Sequence, residues 1–589
     1  MYNLPMNLVL RSRKVLATIC FSAALMSSVI VSLASTNPPS CTVFVPMRDG
    51  ISLSTDLYFP TGQTELLSVI LIRTPYGRTS LAGYGQYFSS HGYVVAVQDV
   101  RGRYDSEGEW VPFLNEGTDG YDTVEWLATQ EWSTGRVGMY GGSYSAFAQF
   151  AAALLKPPHL LTIIPNISAG MPFDGFPYVG GALLLGSTLR WVDLMESAET
   201  PEEMARLSGE HLDIDWTRLL DTLPVVDLDQ TVVGCEVDYW RDWVAHNAED
   251  DYWESVCYLD DLSSLELPVF LQSGWFDPGS RGTLLAYLSL AESRNKAIKM
   301  VMGPWAHTDQ SSPYVYGEFM GDEADIGLMD LYVQWFDYWL LGEKNNMLLE
   351  PLVQIFTIGS NEWIEGDEYP LASTHQIELQ LGAASSSSSQ EGCLNRVSEQ
   401  QAGGSEFSVY EYDPGNPSPC FSEYLRTGIG EEYGRAIADR TDVVVFDTPP
   451  LEAPLTIAGP VSMTLYAESS CVDTDWCVTV CGITPTGDSY SVGMTWGVVR
   501  ASLRDSRIEP ALLMPGTVYE YEIDLSHTGF TLPTGDRLRV VVSSSAFPEF
   551  SRNLNTGLHS EITEEYVVAH QTVFHSDERP SRLVLWVAD

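Results

Sequence analysis

A chain of 589 residues is too long for one ordinary hydrophobic core, so several domains are expected. Hydrophobic residues make up 44% and charged residues 19%, with 16 Trp and 29 Tyr, a globular composition that excludes overall disorder. The net charge of −48, from 79 acidic against 31 basic residues dispersed along the chain, excludes nucleic acid as a partner and disfavours an acidic substrate; it reads as a solvated surface suited to a saline or external medium.

Near the N-terminus, Arg11, Arg13 and Lys14 precede "VLATICFSAALMSSVIVSLAS", a basic start followed by an apolar run that ends in small residues. This predicts an export signal over 1–34, cleaved after Ala34 with Ser32 and Ala34 in the small positions, and a secreted or extracytoplasmic protein. The apolar run is nearly long enough to span a bilayer, so an uncleaved signal anchor is the alternative; no later segment looks membrane-spanning. Cleavage would remove Cys20 and leave eight cysteines, an even number in an oxidising compartment, so disulfides are expected. Cys477 and Cys481 lie four apart on a predicted strand, about 13 Å at ~3.3 Å per residue, and cannot pair. Cys393 with Cys420 and Cys235 with Cys257 are the better candidates. Zinc is a poor alternative, since neither His nor a second close Cys pair accompanies them.

From Cys41 onward "TVFVPMRDG" and "ISLSTDLYFP" predict a hairpin turning at Asp49-Gly50. "LLSVILIRTPYG" and "GYVVAVQDVRG" are β-branched apolar runs bounded by turn residues, as central parallel strands are. "GTDGYDTVEWLATQ" repeats apolar residues at helical spacing, and "GRVGMYGGSYSAFAQFAAALL" reads as strand, sharp turn, helix. This alternation predicts an α/β fold with a mostly parallel sheet. From Pro172 to about Glu266 acidic, Trp-rich helical pieces such as "TPEEMARLSGEHL" and "VDYWRDWVAHNAEDDYWESV" interrupt it, before "LELPVFLQSGWFDPGS" and "KAIKMVMGPWAH" resume the strands. Such an insertion is expected to cap the carboxyl ends of the strands, where α/β ligands bind. After the amphipathic "MDLYVQWFDYWLLGEKNN", short alternating strands including "LVQIFTIG", "VSMTLYAE", "CVTVCGI" and "RLRVVVSSS" predict a β-sandwich, with "AASSSSSQEG" a low-complexity loop.

Ser143 stands behind Gly141 and Gly142 at the predicted strand-to-helix turn, the setting of a nucleophile elbow. The usual G-x-S-x-G ends here in Ser145, followed by Ala146, both small. "GWFDPG" puts Asp277 just past one strand and "GPWAH" puts His307 just past the next, so the chain order is Ser143, Asp277, His307, that of an α/β-hydrolase triad. Taken singly, a glycine-flanked Ser, an Asp before Pro-Gly and a lone His after Pro-Trp are ordinary structural residues. Together, in that order at three strand ends, they point to catalysis.

At this point the sequence resembles the cocaine-esterase and X-Pro dipeptidyl-peptidase group of α/β-hydrolases, the CocE/NonD hydrolases. The likeness covers nearly the whole mature chain through "VPMRDGISLSTDLYFP", "TPYGR", "QDVRGRYDSEGEW", "EGTDGYDTVEWLATQEWSTGRVGMYGGSY", "GWFDPG", "GPWAH", "YDPGNPSP", "GPVSMTLYAESSCVDTDW" and "HSDERPSRLVLWV". With the pattern read above it implies an α/β-hydrolase domain over 41–171 and 267–350, an inserted helical cap over 172–266, and an all-β jelly-roll-like (galactose-binding-like) domain over 351–589. The resemblance makes Ser143 the nucleophile, His307 the general base and Asp277 its orienting carboxylate, with Tyr76 O–H and the Tyr144 N–H as the oxyanion hole.

The expected chemistry is acyl transfer from a small ester or amide through an acyl-enzyme, with no metal or organic cofactor. A histidine base predicts activity rising through an apparent pKa of about 6 to 7. X-Pro dipeptidyl-peptidase or α-amino ester hydrolase activity is the alternative, but Pro278, Gly279, Ser280 and Arg281 after Asp277 offer no carboxylate for a free amine, which ranks esterase or acylase first. A catalytically dead exported binding protein ranks last, because the triad and the oxyanion tyrosine are all present.

Overall fold

In the computed structural model the described residues are 38–588 apart from 63, 169–171, 212–213, 294–296, 309, 384–390, 397–404 and 422–430. The expected export segment lies outside them. Among the described residues no helix is long and apolar enough to cross a membrane.

The N-terminal part is a mixed α/β domain built on a ten-stranded sheet. Its strands are β1 (Cys41–Pro46), β2 (Ser52–Tyr58), β3 (Leu67–Thr74), β4 (Val94–Asp99), β5 (Ser133–Gly142), β6 (Leu160–Asn166), β7 (Val269–Phe276), β8 (Ile298–Ala306), β9 (Val353–Thr357) and β10 (Glu362–Gly366). They lie in the order β1-β2-β4-β3-β5-β6-β7-β8-β9-β10. From β4 to β9 every neighbouring pair is parallel; β1, β2 and β10 are antiparallel additions at the edges. The parallel strands are apolar runs buried along most of their length, because helices cover both faces. The β1–β2 hairpin turns at Asp49-Gly50 as expected, with Gly50 at φ 91°.

Helices α1 (Ala82–Ser90), α2 (Glu116–Ala128) and α3 (Tyr144–Leu154) connect the first strands. Between β6 and β7 the chain leaves the sheet and forms α4 (Leu185–Ser197), α5 (Pro201–Glu210), α6 (Asp238–Ala245) and shorter turns. Thr200 caps α5 by accepting from Glu203 N–H at 3.2 Å, with Pro201 in the first turn. The tryptophans of this segment pack inward: Trp240, Trp243 and Trp253 are fully buried. Helix α7 (Ser280–Ala291) follows β7, and α8 (Leu328–Phe336) leads into a wider turn that stops at left-handed Gly342, φ 77°.

The C-terminal part is β-rich, with twelve strands in one connected sheet. The strand Arg582–Ala588 is internal to it, paired on one side with Thr374–Ala383 and on the other with Leu455–Ser469. Arginines and carboxylates of this part reach the insertion: Arg507 pairs with Asp174 and Glu249, Arg552 with Asp221, and Glu549 accepts from Ser187 Oγ at 2.6 Å.

Two expectations are corrected. "LVQIFTIG" does not open the β-rich part; Val353–Thr357 pairs in parallel with β8 through Met300↔Val353, so the first sheet continues to Gly366. No disulfide joins the described cysteines, so Cys393–Cys420 and Cys235–Cys257 are not bonds. Instead the Cys393 thiol donates to Ala383 O at 3.0 Å and the Cys257 thiol points to Pro172 O at 3.6 Å, while Cys235 is exposed.

Candidate active site

Strand β5 ends at Gly142, α3 begins at Tyr144, and the whole reversal falls on Ser143, whose φ of 59° and ψ of −125° are strained for a residue with a side chain. Its N–H donates to Asn166 O on β6 at 3.1 Å, which pins the turn to the sheet. At the N-cap position a serine ordinarily satisfies its own helix, yet Ser143 makes no side-chain cap bond and its Oγ is left to other work. Gly141 has φ 146°, and a Cβ on Gly142 would meet Ile167 Cγ1 at 2.9 Å, so both glycines are demanded by backbone and space.

His307 follows β8, and its Nε2 lies 3.2 Å from Ser143 Oγ. Its Nδ1 lies 2.8 Å from Oδ1 of Asp277, which follows β7 and has no exposed surface. The same carboxylate accepts from Gly279 N–H at 2.7 Å and Ser273 Oγ at 3.2 Å, so its position is fixed before any substrate arrives. Burial pulls the His307 pKa down, but the charge of Asp277 and its hydrogen bond outweigh this and raise it above the ordinary value. The 3.2 Å contact to Ser143 has the length expected of a catalytic pair that tightens when substrate binds.

Tyr76, half-buried just past β3, turns its hydroxyl to the same place. Burial raises its pKa, opposed by hydrogen bonds to Trp191, the Ser143 side chain and the Tyr144 backbone N–H, and the Trp191 indole N–H donates to its hydroxyl at 3.2 Å. The Tyr144 ring points the other way. Its hydroxyl accepts from Phe113 N–H at 2.8 Å and donates to Glu116 Oε1 at 2.9 Å. Glu116 in turn pairs with the fully buried Arg73 at 2.7 Å. This buried network anchors the start of α3, next to Ser143.

All five residues singled out in the sequence therefore meet at one sheet edge. Sequence reasoning missed Trp191, which donates to the Tyr76 hydroxyl, and Arg103, which donates to Pro75 O beside it; the aromatic density of the insertion was the available signal for the first. Trp191 packs among Phe113, Tyr144, Phe176 and Trp243, forming an aromatic wall over the turn.

A serine facing a histidine that is itself held by a buried carboxylate, at the carboxyl ends of parallel strands, is the arrangement on which serine hydrolases of the α/β type are built. Comparison narrows this class. Residues 49–309 match the X-Pro dipeptidyl-peptidase (S15) family and residues 345–584 match the X-Pro dipeptidyl-peptidase C-terminal non-catalytic domain. Cocaine esterase of Rhodococcus sp. (strain MB1 Bresler) is 30% identical over 569 residues, 92% of this chain and 97% of that one. An α-amino acid ester hydrolase superposes with a TM-score of 0.79 at 24% identity, covering 93% of this chain and 96% of its own. An aminopeptidase from a marine sediment Thaumarchaeota archaeon gives a TM-score of 0.77 at 23% identity over 94% and 98%. This chain belongs to the X-Pro dipeptidyl-peptidase (S15) family of serine hydrolases, which includes the cocaine-esterase group it resembles.

Proposed function

We propose that the protein is an exported hydrolase of small esters or amides, acting through Ser143, His307 and Asp277. The observation that carries the proposal is His307 bridging Ser143 Oγ and the buried Asp277 carboxylate at 3.2 and 2.8 Å. In this reading Ser143 Oγ attacks the substrate carbonyl while its proton passes to His307 Nε2; Asp277 holds the Nδ1–H tautomer and stabilises the imidazolium. Tyr76 O–H and Tyr144 N–H receive the negative charge on the carbonyl oxygen. His307 gives the proton to the leaving group, and the acyl-enzyme is released by water that His307 deprotonates. The helices between β6 and β7 form the cap, and their aromatic wall accepts the apolar part of the substrate. Export rests on the N-terminal basic and apolar pattern.

Ester or acylase chemistry is favoured over X-Pro dipeptidyl-peptidase chemistry by the segment after Asp277. Arg281 there donates to Asp174 O at 2.9 Å and pairs with Asp524 at 2.8 Å, so it links parts of the chain and adds no acidic partner for an ammonium group. The test is labelling by a fluorophosphonate, followed by rates on a panel of esters, amides and X-Pro anilides. Ser143→Ala should abolish labelling and lower turnover by about 10³-fold or more. Labelling at another serine, with Ser143→Ala fully active, would falsify the assignment.

A further inference from the structure

The insertion touches the proposed oxyanion hole directly. Trp191, midway along α4, donates its indole N–H to the Tyr76 hydroxyl at 3.2 Å. Packing fixes the direction of that donor. The indole stacks parallel to Phe113 at 6.4 Å and 9°, and to Tyr144 at 6.4 Å and 12°, while Phe176 meets it edge-on at 5.6 Å.

Arg103 ties the two backbones together. Its Nε donates to Pro75 O at 3.2 Å, next to Tyr76, and a terminal nitrogen donates to Met195 O at 3.0 Å, one turn beyond Trp191 on α4. The guanidinium lies over Trp110 at 4.8 Å, and Trp110 packs on Trp191 at 5.8 Å. Tyr76 and Trp191, 115 residues apart in sequence, are thus held as one unit.

A phenolic oxygen carries one proton and two lone pairs. An N–H that occupies a lone pair leaves the proton as the group to be given, and strengthens it as a donor because linked hydrogen bonds polarise one another. We propose that Trp191 is a positioning residue of the oxyanion hole, orienting and polarising the Tyr76 hydroxyl toward the carbonyl oxygen of a substrate at Ser143. The proposal rests on the reading of Tyr76 as an oxyanion donor. It gives the insertion a part in the chemical step, since the hole is complete only while α4 lies in place.

The test is a double-mutant cycle on the full chain with a small activated ester. Trp191→Phe keeps a ring and removes the N–H, and should lower kcat by about tenfold; in the Tyr76→Phe background the same change should alter kcat by less than about twofold. Equal losses in both backgrounds, or a loss confined to KM, would make Trp191 a pocket wall and overturn the proposal. An unchanged kcat for Trp191→Phe would overturn it as well. If the melting temperature shows that Trp191→Phe is misfolded, the shape-preserving analogue benzothienylalanine at position 191 replaces it, with the same outcomes. Full activity of Tyr76→Phe alone would remove the oxyanion reading itself, whereas an impaired Tyr76→Phe with an additive Trp191→Phe removes only the inference about Trp191.

Discussion

Gly141 and Ser145 face each other across the turn at Ser143 so closely that a Cβ on Gly141 would lie 2.6 Å from the Cβ of Ser145. In the G-x-S-x-G pattern both outer positions are usually glycine; here one carries a side chain, and the other must therefore carry none. Gly141→Ala should cost about 2 to 5 kcal/mol, from strain at φ 146° and from the overpacking. Ser145→Gly should be nearly neutral for turnover. Thermal unfolding and kcat of the two variants check this, and an active, stable Gly141→Ala would show that the turn tolerates what its geometry forbids.

In the proposed mechanism His307 must be neutral to take the serine proton, and the pH dependence follows from that. Because Asp277 raises the pKa of His307 against the effect of burial, the acid limb of kcat/KM should lie above the ordinary histidine value of about 6.5, higher than the sequence alone suggests. Asp277→Asn removes the charge and leaves burial, so the limb should move down in pH while turnover falls by about 10⁴-fold. A limb that stays in place in Asp277→Asn would mean that another group sets it.

Tyr76→Phe should lower kcat by about 10²- to 10³-fold while KM moves less, because the lost hydrogen bond strengthens only as charge develops on the carbonyl oxygen. A tyrosine that merely packs in its turn would lose about 1 kcal/mol of stability and little rate. Measuring kcat, KM and melting temperature together separates the two cases.

Substrates with a free α-amine should gain nothing over their N-acylated analogues. The acid-rich segments of the insertion, "WVDLMESAET" and "HNAEDDYWES", are the place from which an ammonium partner would come if this fails. Comparing kcat/KM for an X-Pro anilide and its N-acyl form decides it: a preference for the free amine of about tenfold, ~1.4 kcal/mol, reverses the ranking of esterase over peptidase.

Much of the site was legible because each proposed catalytic residue sits at a strand end marked by its own local pattern: Tyr76 after "VILIR", Ser143 after "VGMYGG", Asp277 and His307 after apolar runs. Sheet membership was not. Val353–Thr357 alternates like a sandwich strand, and only its partner, β8, places it in the first sheet; local periodicity carries no information about a partner that lies some fifty residues away. The same holds for Trp191, whose contact with Tyr76 spans 115 residues of sequence. Cysteine parity failed for a related reason, since an even count says nothing of distance: Cys393 turns to a strand carbonyl beside it instead of toward Cys420.

The strand Arg582–Ala588 lies inside the second sheet, with neighbours on both sides, and that sheet's part of the chain grips the insertion through Arg507, Glu549 and Arg552. Residues 76 to 307, which hold every group of the site, are synthesised well before this strand. The contacts that hold the insertion from this side, at Asp174, Ser187, Asp221 and Glu249, can therefore form only after the later part of the chain has been made, so the order of synthesis puts the residues at Ser143 first and their outer support last.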